Sequence, residues 1–185
     1  MLFLLIVLIF LSILANKNSL NSISTPPDFY GTSKEVDADE FKDYLNTNNF
    51  SVYLPFLLPK NFEMTSIYLK ENPFIAIVVY SAENNKDYKT AELTIQITVA
   101  NSIPIYNELL SNVENPEYEK VYEINGWPIF VYERASSGSE SSFIAKYGEF
   151  TTLTLVWIEK NQYSINSPTL NTDEVLILTE NMILI

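Results

Sequence analysis

Two groups of carboxylates are the residues whose type and spacing could carry chemistry in this chain. They are Asp37, Asp39, Glu40 and Asp43 at a predicted helix start, and Glu114, Glu117, Glu119 and Glu123 further along. Carboxylate oxygens are the ligands that calcium prefers, and paired carboxylates also catalyse glycoside hydrolysis. Neither group has the D-x-D-x-D-G spacing of a calcium loop, and runs of charge are usually solvated surfaces. We therefore expect no metal site and no catalytic residue in either group.

The chain contains no histidine and no cysteine. These absences exclude Ser-His-Asp and Cys-His relays, ordinary zinc, haem and iron–sulfur sites, and disulfides. The sequence also lacks the S-x-x-K pair of Ser-Lys hydrolases, the G-x-S-x-G elbow, the P-loop and the G-x-G-x-x-G loop. It therefore predicts a protein that is not an enzyme and has no cofactor.

The composition is acidic but well suited to a folded core. The formal charge is −12 over 185 residues, and 47% of the residues are apolar. Affinity for nucleic acid and for anionic membrane surfaces comes mainly from Lys and Arg. We therefore expect the folded part to bind neither of them. The apolar fraction argues against disorder.

Residues 1–15 form an apolar leader, MLFLLIVLIFLSILA. As a helix it would span about 22 Å, whereas a bilayer core is about 30 Å thick. The run therefore suits the apolar region of a signal peptide or a short membrane anchor, although no basic residue precedes it and the Ile13-Leu14-Ala15 cleavage site is weak. There are two alternatives for this segment. A basic segment that preceded it has been lost, or the segment is a helix buried in the core. We expect the rest of the chain outside the cytoplasm, held at the cell membrane or secreted.

Residues 16–34 are rich in Asn, Ser and Thr and contain the Pro26-Pro27 pair, which is typical of a polar linker. Residues 35–185 are then enough for a single extracytoplasmic domain. Ala91 to Ala100 alternates apolar and polar residues with the period of a half-buried antiparallel strand. Asn125-Gly126 is the strongest hairpin signal in the chain.

Two segments, Phe74 to Tyr80 and Trp127 to Tyr132, are apolar on both faces and are therefore predicted at the centre of the sheet. Asp37 is a predicted N-cap, and Asn171 or Thr172 another, with Val175, Leu178 and Met182 forming an apolar stripe in the last helix. The predicted fold is α+β, a curved, mostly antiparallel sheet of about six to eight strands with a short N-terminal helix and a C-terminal helix packed on it. A further short helix is predicted over residues 105–113, an extended buried connector over 50–64, and a loop over 136–142.

The doubly apolar strands require something to cover the sheet face that the helices leave open. The sheet could close partly on itself, enclose a cavity for a hydrophobic ligand, or pair with a second copy. Aromatic side chains could also form an interaction surface, for which Trp127, Tyr132 and Trp157 are the candidates. In strands of this composition such residues more often belong to the core.

Several short motifs resemble a bacterial domain family of unknown function, found on the extracytoplasmic side of anti-sigma-factor-like membrane proteins of Gram-positive bacteria. The resemblance covers about residues 50–183. Its opening is similar to "LP-x-G-F/Y", with Asn61 in place of the usual Gly. The segments that carry it are Tyr53 to Phe62, Asn125-Gly126, Leu155 to Trp157, Lys160 to Ile165, and Asn171 to Val175.

The resemblance implies an extracytoplasmic domain without known catalytic residues. Family members often carry a sigma-binding cytoplasmic segment before the membrane helix, and no such segment precedes residue 1 in this sequence, so that activity is not carried over. We expect a non-enzymatic domain for sensing or protein interaction at the cell envelope, with an envelope protein as its partner. The alternative is a lipid or lipoprotein carrier with a hydrophobic cavity under the curved sheet. A calcium-dependent structural module is the third class.

Overall fold

The computed structural model of the chain describes residues 33–133 and 152–185. The leader, the predicted loop over 136–142 and all of the predicted linker before residue 33 lie outside the described residues. Among the described residues, the first regular element is β1, which begins at Lys34, the last residue of the predicted linker.

Ten strands and three helices make up the described residues. The strands are β1 (Lys34–Val36), β2 (Tyr53–Pro55), β3 (Glu63–Lys70), β4 (Ile75–Ser81), β5 (Leu93–Val99), β6 (Glu119–Ile124), β7 (Trp127–Glu133), β8 (Thr152–Ile158), β9 (Asn161–Ser167) and β10 (Met182–Leu184). The helices are α1 (Ala38–Asn48), α2 (Tyr106–Ser111) and α3 (Thr172–Glu180).

Eight strands form one open sheet in the order β1-β3-β4-β5-β9-β8-β7-β6, and every neighbouring pair is antiparallel. The sheet consists of two four-stranded halves that meet where β5 pairs with β9. The other two strands, β2 and β10, pair with each other in a separate two-stranded ribbon. The predicted α+β class and the mostly antiparallel sheet are confirmed.

The predictions of one hairpin turn and of two helix N-caps are confirmed. Asn125 and Gly126 both have positive φ, 56° and 78°, and join β6 to β7 as the hairpin signal predicts. Asp37 caps α1 by accepting a hydrogen bond from the backbone N–H of Glu40. Asn171 caps α3 within a capping box completed by Glu174.

The prediction that Met182 continues the apolar stripe of α3 is wrong. The helix ends at Glu180, and the Asn181 side chain donates to the carbonyl of Ile177, which closes the last turn. Met182 begins β10 and pairs with Pro55 of β2. The backbone N–H and C=O groups of β2 require hydrogen-bond partners. The residues after α3 therefore pair with β2 as a strand and do not lengthen the helix.

The prediction that β4 and β7 lie at the sheet centre is also wrong. Strand β7 is second from one edge and β4 is third from the other, while β5 and β9 occupy the centre. A strand is apolar on both faces where other parts of the chain pack on each of its faces. Residues 82–92 cover β4, and α2 packs beside β7, on the side of the sheet away from the other helices.

The main core lies between the sheet and a layer formed by α1, the ribbon and α3. Phe41 and Leu45 of α1, Leu54 of β2, and Val175 and Leu178 of α3 belong to one cluster with the inward side chains of the sheet. Each buried aliphatic side chain contributes about 1.5–3 kcal/mol of burial free energy, so this layer supplies most of the driving force for folding.

Tyr163 of β9 connects the centre of the sheet to this layer. Its ring is fully buried, and its hydroxyl accepts a hydrogen bond of 2.9 Å from the backbone N–H of Tyr53 in β2. Burial raises the pKa of Tyr163 to about 12. Two residues before it on β9, the Asn161 side chain donates to the carbonyl of Ser51 at 2.6 Å, so β9 holds the ribbon at two points.

We expect Tyr163→Phe to lower the free energy of unfolding by about 1–3 kcal/mol, because the N–H of Tyr53 is left without its acceptor in a partly buried setting. Urea unfolding of the full chain measures this. The matched control is Tyr53→Phe, which removes a hydroxyl that donates to Glu159 in an exposed setting and should cost much less. Equal losses for the two variants would contradict the role given to Tyr163.

Candidate functional site

The three aromatic residues predicted as an interaction surface do not lie on a common face. Trp127 is on the face of the sheet that carries α1 and α3, with its ring edge-on to Tyr53 at a centroid distance of 5.6 Å. Trp157 is on the opposite face, only 6% exposed, in a cluster with Leu109 of α2. Tyr132 is half-buried and also lies on that opposite face, which we call the far face.

The described residues cover the far face at two places, one on each side. On one side, Tyr88 and Ala91 of the segment 82–92 pack on Ile77 and Val79 of β4. On the other side, Leu109 of α2 packs on the cluster around Trp157. The described residues therefore supply two separate covers for the far face.

An uncharged polar strip runs between these covers along the two central strands. It consists of Thr94, Gln96 and Thr98 of β5 and of Gln162, Ser164 and Asn166 of β9, which are paired across the strands. Ser164 is 3% exposed, and its hydroxyl has no hydrogen-bond partner among the described residues. Thr94 is also buried, at 7% exposed, whereas Gln96 and Thr98 are partly exposed.

Hydrogen bonds hold the segment 82–92 on the far face. The Thr65 hydroxyl donates to the carbonyl of Asn85 at 2.7 Å, and the Tyr68 hydroxyl donates to the carbonyl of Lys86 at 3.1 Å. At the end of β4, the Ser81 hydroxyl accepts from the backbone N–H groups of Glu83 and Asn85. These bonds bring Lys86 to the edge of the sheet beside β1.

A groove of about 570 Å³ opens at this edge, and we call it the edge groove. It lies where β1 ends and α1 begins, beside the first half of β3. Its lining combines buried apolar side chains with polar and charged groups. The lining residues are Glu35, Val36, Asp37, Ala38, Met64, Thr65, Ser66, Ile67 and Lys86.

Charged groups close one end of the edge groove. The Lys86 ammonium lies 2.8 Å from the Glu35 carboxylate, which also accepts a hydrogen bond of 2.9 Å from the Ser66 hydroxyl. The hydrogen bonds from Lys86 and then Ser66 hold the pKa of Glu35 below its usual value. The same contact with Glu35 raises the pKa of Lys86, so both groups are charged at neutral pH.

Several exposed apolar side chains lie after β2, on α3 and on β10, and we call four of them the apolar patch. They are Phe56, Leu57, Ile177 and Ile183, with exposed fractions of 70%, 55%, 59% and 49%. The backbone N–H of Phe56 donates to the carbonyl of Asn181, one helical turn beyond Ile177, which places the end of β2 beside the end of α3. The sequence predicted a buried connector here, so the exposure of Phe56 and Leu57 corrects that prediction.

The signal that could have identified the patch is the pair of prolines that flanks it. Pro55 ends β2 and Pro59 follows three residues after Phe56, so the chain between them turns and cannot stay in a buried strand. An apolar pair in a turn is more often exposed than one in a strand. Ile177 carries no such signal, because its exposure depends on how α3 packs.

Two of the carboxylates singled out in the sequence, Asp37 and Glu119, have clear structural roles. Glu119 accepts hydrogen bonds from the backbone N–H groups of Glu114 and Asn115, which fixes the turn before β6. Asp37 caps α1. Within residues 33–133 and 152–185, no group of three or more acidic side chains is arranged to hold a metal ion.

At the start of α3, Glu133 of β7 joins Lys120 to Thr172. The Lys120 ammonium lies 2.7 Å from the Glu133 carboxylate, and the Thr172 hydroxyl donates to the same carboxylate. Burial alone would raise the pKa of Glu133, but the hydrogen bonds from Lys120 and Thr172 outweigh it and the pKa is lowered. This contact positions α3 and offers no free nucleophile or base.

Comparisons with protein-family models, with curated proteins and with solved structures find no significant match to this chain. The resemblance to the extracytoplasmic domain family therefore stays a prediction. In the part of the chain that the structure describes, no helix is long and apolar enough to cross a membrane.

The placement of the two tryptophans can be tested by fluorescence, because the chain contains only Trp127 and Trp157. We expect the variant Trp127→Phe, which retains Trp157, to emit at shorter wavelength and to be quenched by acrylamide several-fold more weakly than Trp157→Phe. The reason is that Trp157 lies under α2, whereas Trp127 is only partly buried. Equal quenching of the two variants would contradict this arrangement.

Proposed function

We propose that the protein is a non-enzymatic binding domain that acts outside the cytoplasm at the bacterial cell envelope, membrane-anchored or secreted, through contact with a partner protein. The observation that carries the proposal is the apolar patch. Exposed apolar side chains that lie close together mark interaction surfaces more often than single exposed ones do. The location rests on the apolar leader and the polar linker of the sequence.

The packing between sheet and helices favours surface binding over the carrier alternative. Side chains of α1, the ribbon and α3 form one cluster with the inward side chains of the sheet. Val52, Ile95 and Ile165 are fully buried within this cluster. A carrier would need room for an acyl chain at this place. The curvature of the sheet, on which the carrier alternative depended, stays a prediction.

The charge around the apolar patch favours a protein partner over a lipid surface. Interfacial binding to anionic lipid relies on Lys and Arg beside the apolar side chains. Lys60, which follows the patch residues Phe56 and Leu57, donates to the carbonyl of Thr169 and lies 3.4 Å from the Glu174 carboxylate. With a net charge of −12, the chain is suited to a partner with an apolar surface and a basic surround.

The location is tested by fusing residues 1–30 to a reporter enzyme that is active only outside the cytoplasm. We expect an active reporter, because an apolar run of this length with a polar tract after it directs export. A fusion of residues 16–30 alone, which lacks the leader, is the control and should be silent. A silent reporter with the complete segment would contradict the proposed location.

The interaction surface is tested by placing a photo-crosslinking amino acid at Phe56 in the full chain in envelope preparations. We expect one discrete crosslinked protein, which disappears when Leu57 and Ile177 are both changed to Ser. The matched control position is Ile103, which is also exposed but lies after β5, away from the patch. Because the substituted residues are exposed, the free energy of unfolding should change by only about 0.5 kcal/mol. The same crosslinks from both positions would contradict a specific surface.

A further inference from the structure

One half of β3 has a strand partner on only one side. The whole strand, Glu63–Lys70, pairs with β4, but β1 pairs only with Ile67, Tyr68 and Leu69. Residues 63–66 therefore present about 13 Å of strand, at ~3.3 Å per residue, with no neighbouring strand on their outer side among the described residues. Such an edge can accept a strand from another chain.

The edge is free because the chain leaves the sheet at Asp37. A fourth pair in the β1–β3 ladder would bring Asp37 opposite Ser66, but Asp37 is the N-cap of α1 and its side chain binds the N–H of Glu40. The chain then continues as a helix above the sheet. The space that β1 would have occupied is the edge groove described above.

The groove offers a peptide both backbone and side-chain contacts. Val36 and Ile67 are buried at its base, and Met64 is 43% exposed. The Thr65 hydroxyl is already bound to the carbonyl of Asn85 on the far face, so it does not satisfy the outer edge. A bulge between Met64 and Ser66 interrupts the regular ladder with β4 and restricts strand addition to a short segment.

The charge of the groove selects the kind of peptide. Lys86 is the one basic residue among the lining residues, and it is paired with Glu35 at 2.8 Å. Asp37 also lines the groove, and Glu63 stands at the start of the free edge. The net charge of the groove is therefore negative, as is the net charge of the whole chain.

We propose that the edge groove binds an extended basic peptide segment of a partner protein, which adds a short strand to the free edge of β3 and places an apolar side chain against Met64 and Ile67. The backbone supplies affinity, and the apolar contact and the acidic surround supply selectivity. The groove is separate from the apolar patch, so this proposal does not depend on the proposed function.

The test uses the full chain in detergent micelles and a capped, fluorescent five-residue peptide of alternating lysine and valine. We expect binding by anisotropy and at least tenfold slower hydrogen–deuterium exchange for the backbone amides of residues 63–66 in the complex. An analogue with proline at the central position should bind at least tenfold more weakly, because proline lacks the N–H that a strand donates. A glutamate–valine analogue should not bind.

Matched variants separate the groove from general attraction between opposite charges. Met64→Lys places a positive charge in the groove and should weaken binding about tenfold, whereas Leu110→Lys makes the same exchange at an exposed residue of α2 and should weaken it little. Both side chains are exposed, so both variants should fold, and the melting temperature checks this. Phe56→Ser in the apolar patch should bind the peptide normally.

Three outcomes would overturn the proposal. They are equal weakening by the two lysine variants, binding without slower exchange at residues 63–66, and no binding of the lysine–valine peptide. Loss of partner crosslinking at Phe56 with retained peptide binding would count against the proposed function alone.

Discussion

The hydrogen bond between the Tyr163 hydroxyl and the backbone of Tyr53 joins the two layers of the fold at their centre. Strand β9 lies at the junction of the two halves of the sheet, and the ribbon forms the layer above the sheet together with α1 and α3. A polar group in this position must be satisfied, since an unpaired buried N–H costs about 1–3 kcal/mol. The bond therefore helps to fix the position of the ribbon over the sheet, and α1 and α3 belong to the same core cluster as the ribbon.

The two faces of the sheet differ because their covers differ. The face that carries α1 and α3 is closed by one layer and is mostly apolar, with Thr154 as a buried polar exception, whereas the far face has two separate covers with the polar strip between them. The central strand β5 alternates, and β4, nearer an edge, does not. Whether a strand is buried on both faces thus depends on where the loop 82–92 and α2 pack. It does not depend on how far the strand lies from the edge of the sheet.

This difference also shows what sequence reasoning could find. The Asn125-Gly126 hairpin, the caps at Asp37 and Asn171 and the alternation in β5 were predicted because each depends on residues close together in the chain. The strand order, the partner of β10 and the exposure of Phe56 were not, because each depends on contacts between distant segments. The edge groove belongs to this second group. It exists only because α1 leaves the line of β1 at Asp37 while Lys86 arrives from the far side of β4.

The ribbon has a consequence for how the chain reaches this structure. It pairs residues 53–55 with residues 182–184, and the sheet joins its halves through β5 and β9. Contacts between such distant segments slow folding, because the loops between them must close first. The layer over the sheet cannot be completed until β10 has been synthesised. A chain that crosses a membrane before it folds would therefore stay open during passage and close only once its last strand has followed.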